Sequence, residues 1–166
     1  EDRANRLHDQ RQRDTMRRCA KMSIHIPRAD PMAMNLRVTV VNDHPEFLDL
    51  LSEFLGEEGY EVTTIPKHQG AFEQIKASQP DIVICDLIFD NMPAGWALLD
   101  MLYLDPATRA IPVILCSAAT RQVQEVVPSF AGKGILWLEK PFELEALLTM
   151  LEKLGRKLPG NEPKGK

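Results

Sequence analysis

The sequence predicts an α/β domain built on a doubly wound, five-stranded parallel sheet. Five short apolar segments alternate with five segments of helical periodicity, which is the pattern of the strand–helix units that form parallel sheets. The apolar segments are apolar throughout, so the strands are expected to be buried on both faces. The chain has 166 residues, which is enough for one ordinary domain.

The first two strand–helix units are predicted within residues 36–78. Residues 36–41 form an apolar strand, and residues 45–58 repeat apolar side chains at helical spacing until Gly59 ends the helix. The second strand is predicted at residues 60–65 and the second helix at residues 69–78.

Three further units complete the predicted sheet. Pro80 precedes the third strand, a continuous apolar run over residues 82–85. The fourth and fifth strands are predicted at residues 111–116 and 135–138. The helices that follow these three strands are predicted at residues 96–104, 121–130 and 143–154.

Charge is distributed unevenly along the chain and divides it into three regions. Residues 34–154, the predicted domain, contain 8 Lys and Arg against 18 Asp and Glu, a formal charge of −10. Residues 1–33 carry a charge of +3 without steady periodicity and are predicted to be a disordered or weakly helical basic extension. Residues 155–166 form a short polar tail. The acidic domain argues against nucleic acid as a partner and suits a protein that gathers carboxylates around a cation.

Several classes of protein are disfavoured by what the sequence lacks. No apolar run approaches the roughly 18 residues of a membrane span, and no apolar signal-peptide core follows the N-terminal arginines. Cys19, Cys85 and Cys116 lack metal-ligand spacing and indicate small buried side chains in a reducing cytoplasm. No glycine-rich phosphate loop follows any strand. We therefore expect a cytoplasmic protein with no membrane contact and no classical nucleotide site.

Polar side chains stand where four of the five predicted strands end. After the first, third, fourth and fifth strands these residues are Asn42 with Asp43, Asp86, Ser117, and Lys140 with Pro141. The carboxyl ends of parallel strands meet at one edge of the sheet, where open α/β proteins bind their ligands. Two carboxylates, an amide, a hydroxyl and an ammonium group are therefore expected to converge there.

This pattern resembles the receiver domain of bacterial two-component response regulators, from about Leu36 to Leu154. That family has an acidic pair after the first strand, an aspartate after the third, Ser or Thr after the fourth and Lys-Pro after the fifth. Segments such as PDIVICDL and LEKPFELEALL are also similar to receiver sequence. The resemblance implies a flavodoxin-like (βα)5 sandwich that accepts a phosphoryl group from a histidine kinase or phosphotransfer protein. It implies no enzyme activity beyond self-phosphorylation and dephosphorylation.

The resemblance also implies roles for the residues at the strand ends. Asp86 would be the phosphoacceptor, since a carboxylate can attack phosphorus and form an acyl phosphate. Asp43, Asp86 and the backbone carbonyl of Ile88 would hold Mg²⁺, with Asn42 reaching the ion through a water. Lys140 would pair with a phosphoryl oxygen as a point charge.

Two further residues would carry the phosphorylation signal away from the site. By the same resemblance Ser117 would donate its hydroxyl to the phosphoryl group, and Trp137 would be the aromatic switch. The surface formed by residues 121–130 and Trp137 would then bind a downstream protein, whose identity the sequence does not give. Pro141 would follow a cis peptide bond that fixes where Lys140 points.

The sequence departs from the family pattern in two places. Asn42 stands where the commoner residue is a second acid, so weaker Mg²⁺ binding is expected. The loop after Asp86 carries its glycine late, at Gly95, and is altered or one residue longer. Asp90 in this loop is interpreted as a solvated acid rather than a compensating ligand, and His44 as a solvent-facing residue rather than a catalytic base.

Two functional hypotheses stay open from the sequence. The first is a stand-alone response regulator phosphorylated on Asp86, since the tail contains no helix-turn-helix output. The second is a pseudo-receiver, a phosphorylation-independent interaction module, which Asn42 and the altered loop favour. A phosphohydrolase with an aspartate nucleophile is disfavoured, because such enzymes need a second Asp where Ile88 stands. Homodimerisation and membership of a longer polypeptide are left open.

Overall fold

The computed structural model describes residues 10–11, 13–17, 36–88, 94–118, 121–130 and 132–158. In this part of the chain, five parallel strands form one sheet in the order β2-β1-β3-β4-β5. The strands are β1 (Arg37–Val41), β2 (Glu61–Ile65), β3 (Ile82–Asp86), β4 (Val113–Ala118) and β5 (Ile135–Lys140). The helices are α1 (Pro45–Glu57), α2 (Ala71–Ser78), α3 (Ala94–Leu104), α4 (Arg121–Val126), a 3₁₀ helix (Val127–Phe130) and α5 (Leu144–Gly155). The predicted doubly wound α/β fold is confirmed.

The sheet separates two hydrophobic cores. Along β3, Ile82 and Ile84 face the core formed with α1 and α5, whereas Val83 and Cys85 face the core formed with α2 and α3. Alternate side chains of a strand point to opposite faces, so a central strand must be apolar throughout to bury both sides. Each fully buried aliphatic side chain of this kind contributes about 1.5–3 kcal/mol.

The observed elements differ from the predicted ones in three ways. β2 is not apolar throughout, because it lies at the edge of the sheet and exposes most of its side chains. α4 stops at Val126 and continues as a 3₁₀ helix, since Pro128 has no N–H to donate to the preceding turn. β3 and β5 extend further at their carboxyl ends than predicted, and β4 begins and ends two residues later than predicted, so the three strands include Asp86, Lys140 and Ser117. Strand pairing therefore fixes Asp86, Ser117 and Lys140, whereas Asn42 and Asp43 follow the end of β1.

Gly95 sets how closely α3 approaches the end of β3. Its N–H donates to the Leu87 carbonyl at 3.0 Å, and a Cβ at this position would lie 2.4 Å from the Asp86 carbonyl oxygen. No side chain fits at that distance, so the close approach requires glycine. Asp90 and the rest of residues 89–93 lie outside the described residues.

A short helical segment at residues 10–11 and 13–17 packs on the domain. Thr15 in this segment is fully buried, and Met16 packs against the core formed with α1 and α5. The guanidinium of Arg11 donates to the Lys140 carbonyl at 3.4 Å. Part of the predicted extension thus contacts the domain beside the candidate site, while a domain boundary at residue 34 stays a prediction.

No helix among the described residues is long and apolar enough to cross a membrane.

At the C-terminal end of the described residues, Leu158 packs on the core formed with α1 and α5. The polar tail predicted at residues 155–166 is therefore anchored at its beginning, and residues 159–166 lie outside the described residues.

Candidate functional site

The carboxylate of Asp86, the last residue of β3, is the centre of the candidate site. One carboxylate oxygen, Oδ2, accepts a hydrogen bond from the Lys140 ammonium at 2.5 Å and another from the Asn42 amide at 2.9 Å. The other oxygen, Oδ1, accepts the backbone N–H of Ile88 at 3.2 Å. Asp86, Asn42 and Lys140 are each no more than 2% exposed. The sheet edge therefore holds a buried, charge-assisted hydrogen-bond network.

Strand register explains why these three residues meet. Val41 of β1 lies opposite Cys85 of β3. The residues that follow them, Asn42 and Asp86, are therefore neighbours. Lys140 ends β5, two strands away from β3, and its long side chain spans the intervening β4. Three of the polar groups predicted to converge, those of Asn42, Asp86 and Lys140, are thus in contact at the carboxyl edge of the sheet.

The orientation of the Asn42 amide is fixed by two hydrogen bonds. Its carbonyl oxygen accepts the backbone N–H of His44 at 2.8 Å, while its NH₂ group donates to Asp86. The reverse orientation would place the amide oxygen against the carboxylate and the NH₂ against another donor. Asn42 therefore acts as a hydrogen-bond donor to Asp86 in this structure.

Asp43 contacts the imidazole of His44. His44 Nδ1 lies 2.9 Å from Asp43 Oδ1. This hydrogen bond is the main cause that raises the pKa of His44 above its usual value, and partial burial of the ring opposes it. The imidazole is about one-quarter exposed, so His44 is not a freely solvated side chain. It borders the site through its contact with Asp43.

The oxygen donors at this edge are of the kind that Mg²⁺ prefers. Asp43 and Asp86 supply carboxylates, and Ile88 lies close enough to hydrogen-bond Asp86 through its backbone. Among the described residues, no three His, Cys, Asp or Glu side chains gather into a metal site on their own. A cation here would thus depend on backbone carbonyl and water ligands, which is the usual habit of Mg²⁺.

Ser117 and Trp137 are joined directly. The indole N–H of Trp137 donates to the Ser117 hydroxyl oxygen at 3.0 Å, and that hydroxyl donates to the Ala118 carbonyl at 3.3 Å. Ser117 is buried and Trp137 is half-buried against the core formed with α2 and α3. The structure therefore links the two residues predicted as the switch pair, with the hydroxyl proton turned to the backbone.

Two thiols line the interior beside Asp86. Cys85 and Cys116 are both buried and free, and the Cys85 thiol lies 3.0 Å from the Asp86 carbonyl oxygen. Burial raises the pKa of Cys116 to about 12 and that of Cys85 well above its usual value. Both thiols stay protonated and unreactive at neutral pH, as expected for the buried cysteines that the sequence indicated. Cys19 lies outside the described residues.

The peptide bond between Lys140 and Pro141 is cis, as the resemblance implied.

The ring of Phe47 also contacts the site, and the sequence did not indicate this contact. Phe47 belongs to α1 and lies beneath the Lys140 ammonium, 5.3 Å from Nζ to the ring centroid. Its helical spacing indicated only a core position.

Comparison with known proteins gives a consistent result. A family model described as the response regulator receiver domain matches residues 38–152, more than half of the chain. The chain is 30% identical over 127 residues to the DNA-binding dual master transcriptional regulator RpaA of Synechocystis, covering 73% of this chain and 49% of that protein. The chain thus spans about half the length of the curated relatives it matches first.

Solved structures share the fold. The signal receiver domain of a signal transduction histidine kinase from Syntrophus aciditrophicus is 26% identical, with a TM-score of 0.65 over 79% of this chain and 98% of that one. The receiver domain of a sensor histidine kinase from Pseudomonas aeruginosa, solved with a magnesium ion coordinated in its active site cleft, has a TM-score of 0.62 at 21% identity, over 72% of this chain and 97% of that one. On its sequence, its fold and the residues gathered at its sheet edge, the chain belongs to the family of response regulator receiver domains of two-component systems.

Proposed function

We propose that this receiver domain accepts a phosphoryl group on Asp86 and signals the change through Ser117 and Trp137. The observation that carries the proposal is the buried Asp86 carboxylate held by the Lys140 ammonium at 2.5 Å. A buried carboxylate paired with an ammonium group at a strand end is a candidate nucleophile, and the ammonium can pair in turn with a transferred phosphoryl group.

The chemistry would be an in-line displacement at phosphorus. A carboxylate oxygen of Asp86 forms the new O–P bond as the bond to the leaving group of the phosphodonor breaks, and the leaving group departs with that electron pair. The Lys140 ammonium already contacts Oδ2 of Asp86. It would pair with a phosphoryl oxygen once the negative charge lies on the transferred group. The Ile88 N–H, which now donates to Oδ1, helps to keep the carboxylate oriented.

Magnesium would be held by Asp43, Asp86 and the backbone carbonyl of Ile88, with Asn42 contributing indirectly. When bound, Mg²⁺ supplies neutralisation of the negative charge on the transferring group. Asn42 contributes no negative charge, and its amide oxygen is engaged by the His44 N–H. These contacts support weak Mg²⁺ binding in comparison with relatives that carry two acids after the first strand.

Signalling would begin when the Ser117 hydroxyl turns from the Ala118 carbonyl to a phosphoryl oxygen. The hydrogen bond from Trp137 to the same hydroxyl oxygen supports direct coupling of the indole to that movement. A histidine kinase or phosphotransfer protein would supply the phosphoryl group, and a protein partner would bind the surface around α4 and Trp137. A cytoplasmic location and the absence of metabolic turnover are part of the same proposal.

The charge of the domain supports a protein, and not a nucleic acid, as the downstream partner. The formal charge of −10 on residues 34–154 favours a protein over nucleic acid as the partner of this domain. The DNA-binding activity named for the Synechocystis relative belongs to that protein, of which this chain covers about half.

A second candidate function is a phosphorylation-independent interaction module. The hydrogen bond from Asn42 to Asp86 favours it, because this bond and the one from Lys140 satisfy the carboxylate without a metal ion. The two functions differ in one observable. A phosphoacceptor forms a covalent adduct at Asp86, and a pseudo-receiver does not.

The experiment that tests the proposal incubates the folded protein with acetyl phosphate and records its intact mass with and without Mg²⁺. The expected result is an adduct of one phosphoryl group that requires Mg²⁺ and is absent from Asp86→Asn. Folded protein that gains no mass at any Mg²⁺ concentration would favour the pseudo-receiver.

A further inference from the structure

The Lys140 ammonium has an aromatic partner as well as an anionic one. Nζ lies 5.3 Å from the centroid of the Phe47 ring, within the range of a cation–π contact, while it also donates to Asp86. Phe47 and Lys140 are each 1% exposed. The attraction between a cation and a ring face is strongest where water is excluded, which is the case here.

The Phe47 ring is itself held in place. Phe47 lies in the first turn of α1, which begins at Pro45 directly beyond the polar end of β1. Its ring packs edge-to-face with Phe142 at a centroid separation of 6.2 Å and an interplanar angle of 74°. Phe142 follows Lys140 by two residues and is buried too. The ring beneath the ammonium is thus fixed from the side of β1 and from the side of β5.

A lysine needs such a partner more than most cations do. Its side chain has four rotatable bonds and its charge is compact, so a hydrogen bond to one carboxylate oxygen defines the direction of the ammonium less well than the forked contact of an arginine would. During phosphoryl transfer the charge on Asp86 itself changes, because one of its oxygens becomes part of an acyl phosphate. The face of Phe47 offers a negative potential that does not change in that step.

We propose that Phe47 is a positioning residue that holds the Lys140 ammonium through the face of its ring, in the orientation in which Lys140 meets Asp86 and the incoming phosphoryl group. The part that concerns reaction rate rests on the proposed phosphoacceptor function. The pairing of ring and ammonium does not, and it is tested separately.

The test changes the electrostatics of the ring with little change of its shape. Phenylalanine at position 47 alone is replaced by 4-fluoro-, 3,5-difluoro- and 3,4,5-trifluorophenylalanine, each of which weakens the negative potential of the ring face further. The rate of adduct formation with acetyl phosphate and Mg²⁺ is measured by intact mass. The logarithm of the rate is expected to fall steadily with fluorine count, by roughly three- to tenfold over the series.

Phe54 provides the matched control. It lies in the same helix and is partly buried against the same core, so the same fluorinated residues at position 54 report how fluorination of this helix affects packing and hydrophobicity away from Lys140. The rate should be unchanged across the Phe54 series. A flat Phe47 series, or equal slopes for the two positions, would overturn the positioning role.

The pairing is also measured without phosphorylation. Melting temperatures of the Phe47 series are compared in the parent protein and in an Asp86→Asn/Lys140→Met background, which lacks both buried charges. Relative to the Phe54 series, the melting temperature should fall with fluorine count in the parent and stay constant in the background. If no variant forms an adduct, the phosphoacceptor function fails while this comparison still decides the pairing. If the background does not fold, the rate series decides.

Discussion

The indole nitrogen of Trp137 donates a hydrogen bond to the hydroxyl oxygen of Ser117 at 3.0 Å. Ser117 lies on β4 and Trp137 on β5, and both strands end at the edge of the sheet where Asp86 is buried. The serine that would bind the phosphoryl group is therefore in direct contact with the aromatic residue that would report on it. An indole offers this contact because it carries an N–H donor.

Phosphorylation should alter the fluorescence of Trp137. In a Trp96→Phe variant Trp137 is the remaining tryptophan of the two in the chain. Adding acetyl phosphate with Mg²⁺ should change its emission, because redirecting the Ser117 hydroxyl disturbs the indole hydrogen bond. The same titration of Trp96→Phe/Ser117→Ala should give no change. An equal response in both variants would mean that Ser117 does not couple the site to Trp137.

Replacing Asn42 by Asp should destabilise the domain without Mg²⁺ and strengthen its binding of the ion. The substitution removes the amide that donates to Asp86 at 2.9 Å and places a second carboxylate beside it. We expect a loss of roughly 1–3 kcal/mol in the free energy of unfolding, measured with urea in EDTA.

Magnesium should recover more of this loss in Asn42→Asp than it adds to the parent protein, since an ion that binds only the folded state stabilises it. Asn42→Ser is the control, because it removes the amide group that donates to Asp86 without adding charge. If Mg²⁺ shifts the urea midpoint of Asn42→Asp and Asn42→Ser equally, residue 42 does not influence ion binding.

Asp86 and Lys140 should depend on each other for stability. Both side chains are 1% exposed, so Lys140→Met alone leaves a buried carboxylate without its cation and should cost about 3–5 kcal/mol. The Asp86→Asn/Lys140→Met protein should recover most of that loss. Urea unfolding of the two single variants and the double variant measures the coupling, and additive losses would contradict the buried pair.

The thiols of Cys85 and Cys116 should resist modification in the folded protein. Burial raises the pKa of Cys116 to about 12 and that of Cys85 well above its usual value, so the folded state holds both protons at pH 8. In a Cys19→Ser variant, Ellman's reagent should react only after denaturation. Rapid reaction in native buffer would show that at least one of the two cores, which hold Cys116 and Cys85 on opposite faces of the sheet, opens.

The raised pKa values of the two thiols also predict how the stability of the folded protein changes at alkaline pH. Above the ordinary thiol pKa of 9.0 the unfolded chain releases protons that the folded chain retains. Folding is therefore linked to proton uptake, and stability falls as the pH rises from about 9 towards 12. Cys116→Ala should show a shallower fall in melting temperature over this range than the parent protein.

Sequence reasoning reached the fold and most of the site because both follow from strand register. Asp86, Ser117 and Lys140 each stand at the end of an apolar run, and parallel strands bring such ends to one edge whatever the loops do. Contacts made by side chains from helices were not accessible in the same way. The spacing of Phe47 was that of any core residue of α1, and nothing in the sequence pointed to the Lys140 ammonium above its ring.

The N-terminal region shows the same limit. Its composition predicted disorder or weak helicity, yet Thr15 is fully buried and Arg11 donates to the Lys140 carbonyl. A helical segment of about two turns that buries one threonine and packs one methionine on the core leaves too short a pattern for periodicity to detect. Contacts of this kind depend on the surface they meet.

Phosphorylation of Asp86 is tested by chemical identification of the residue that carries the phosphoryl group. The protein is treated with acetyl phosphate and Mg²⁺, reduced with borohydride, which converts an aspartyl phosphate to homoserine, and then digested for peptide mass analysis. The account predicts homoserine at position 86 and at no other aspartate, with the product lost when Mg²⁺ is omitted. Homoserine at another aspartate, or intact aspartate at position 86 in folded protein, would contradict it.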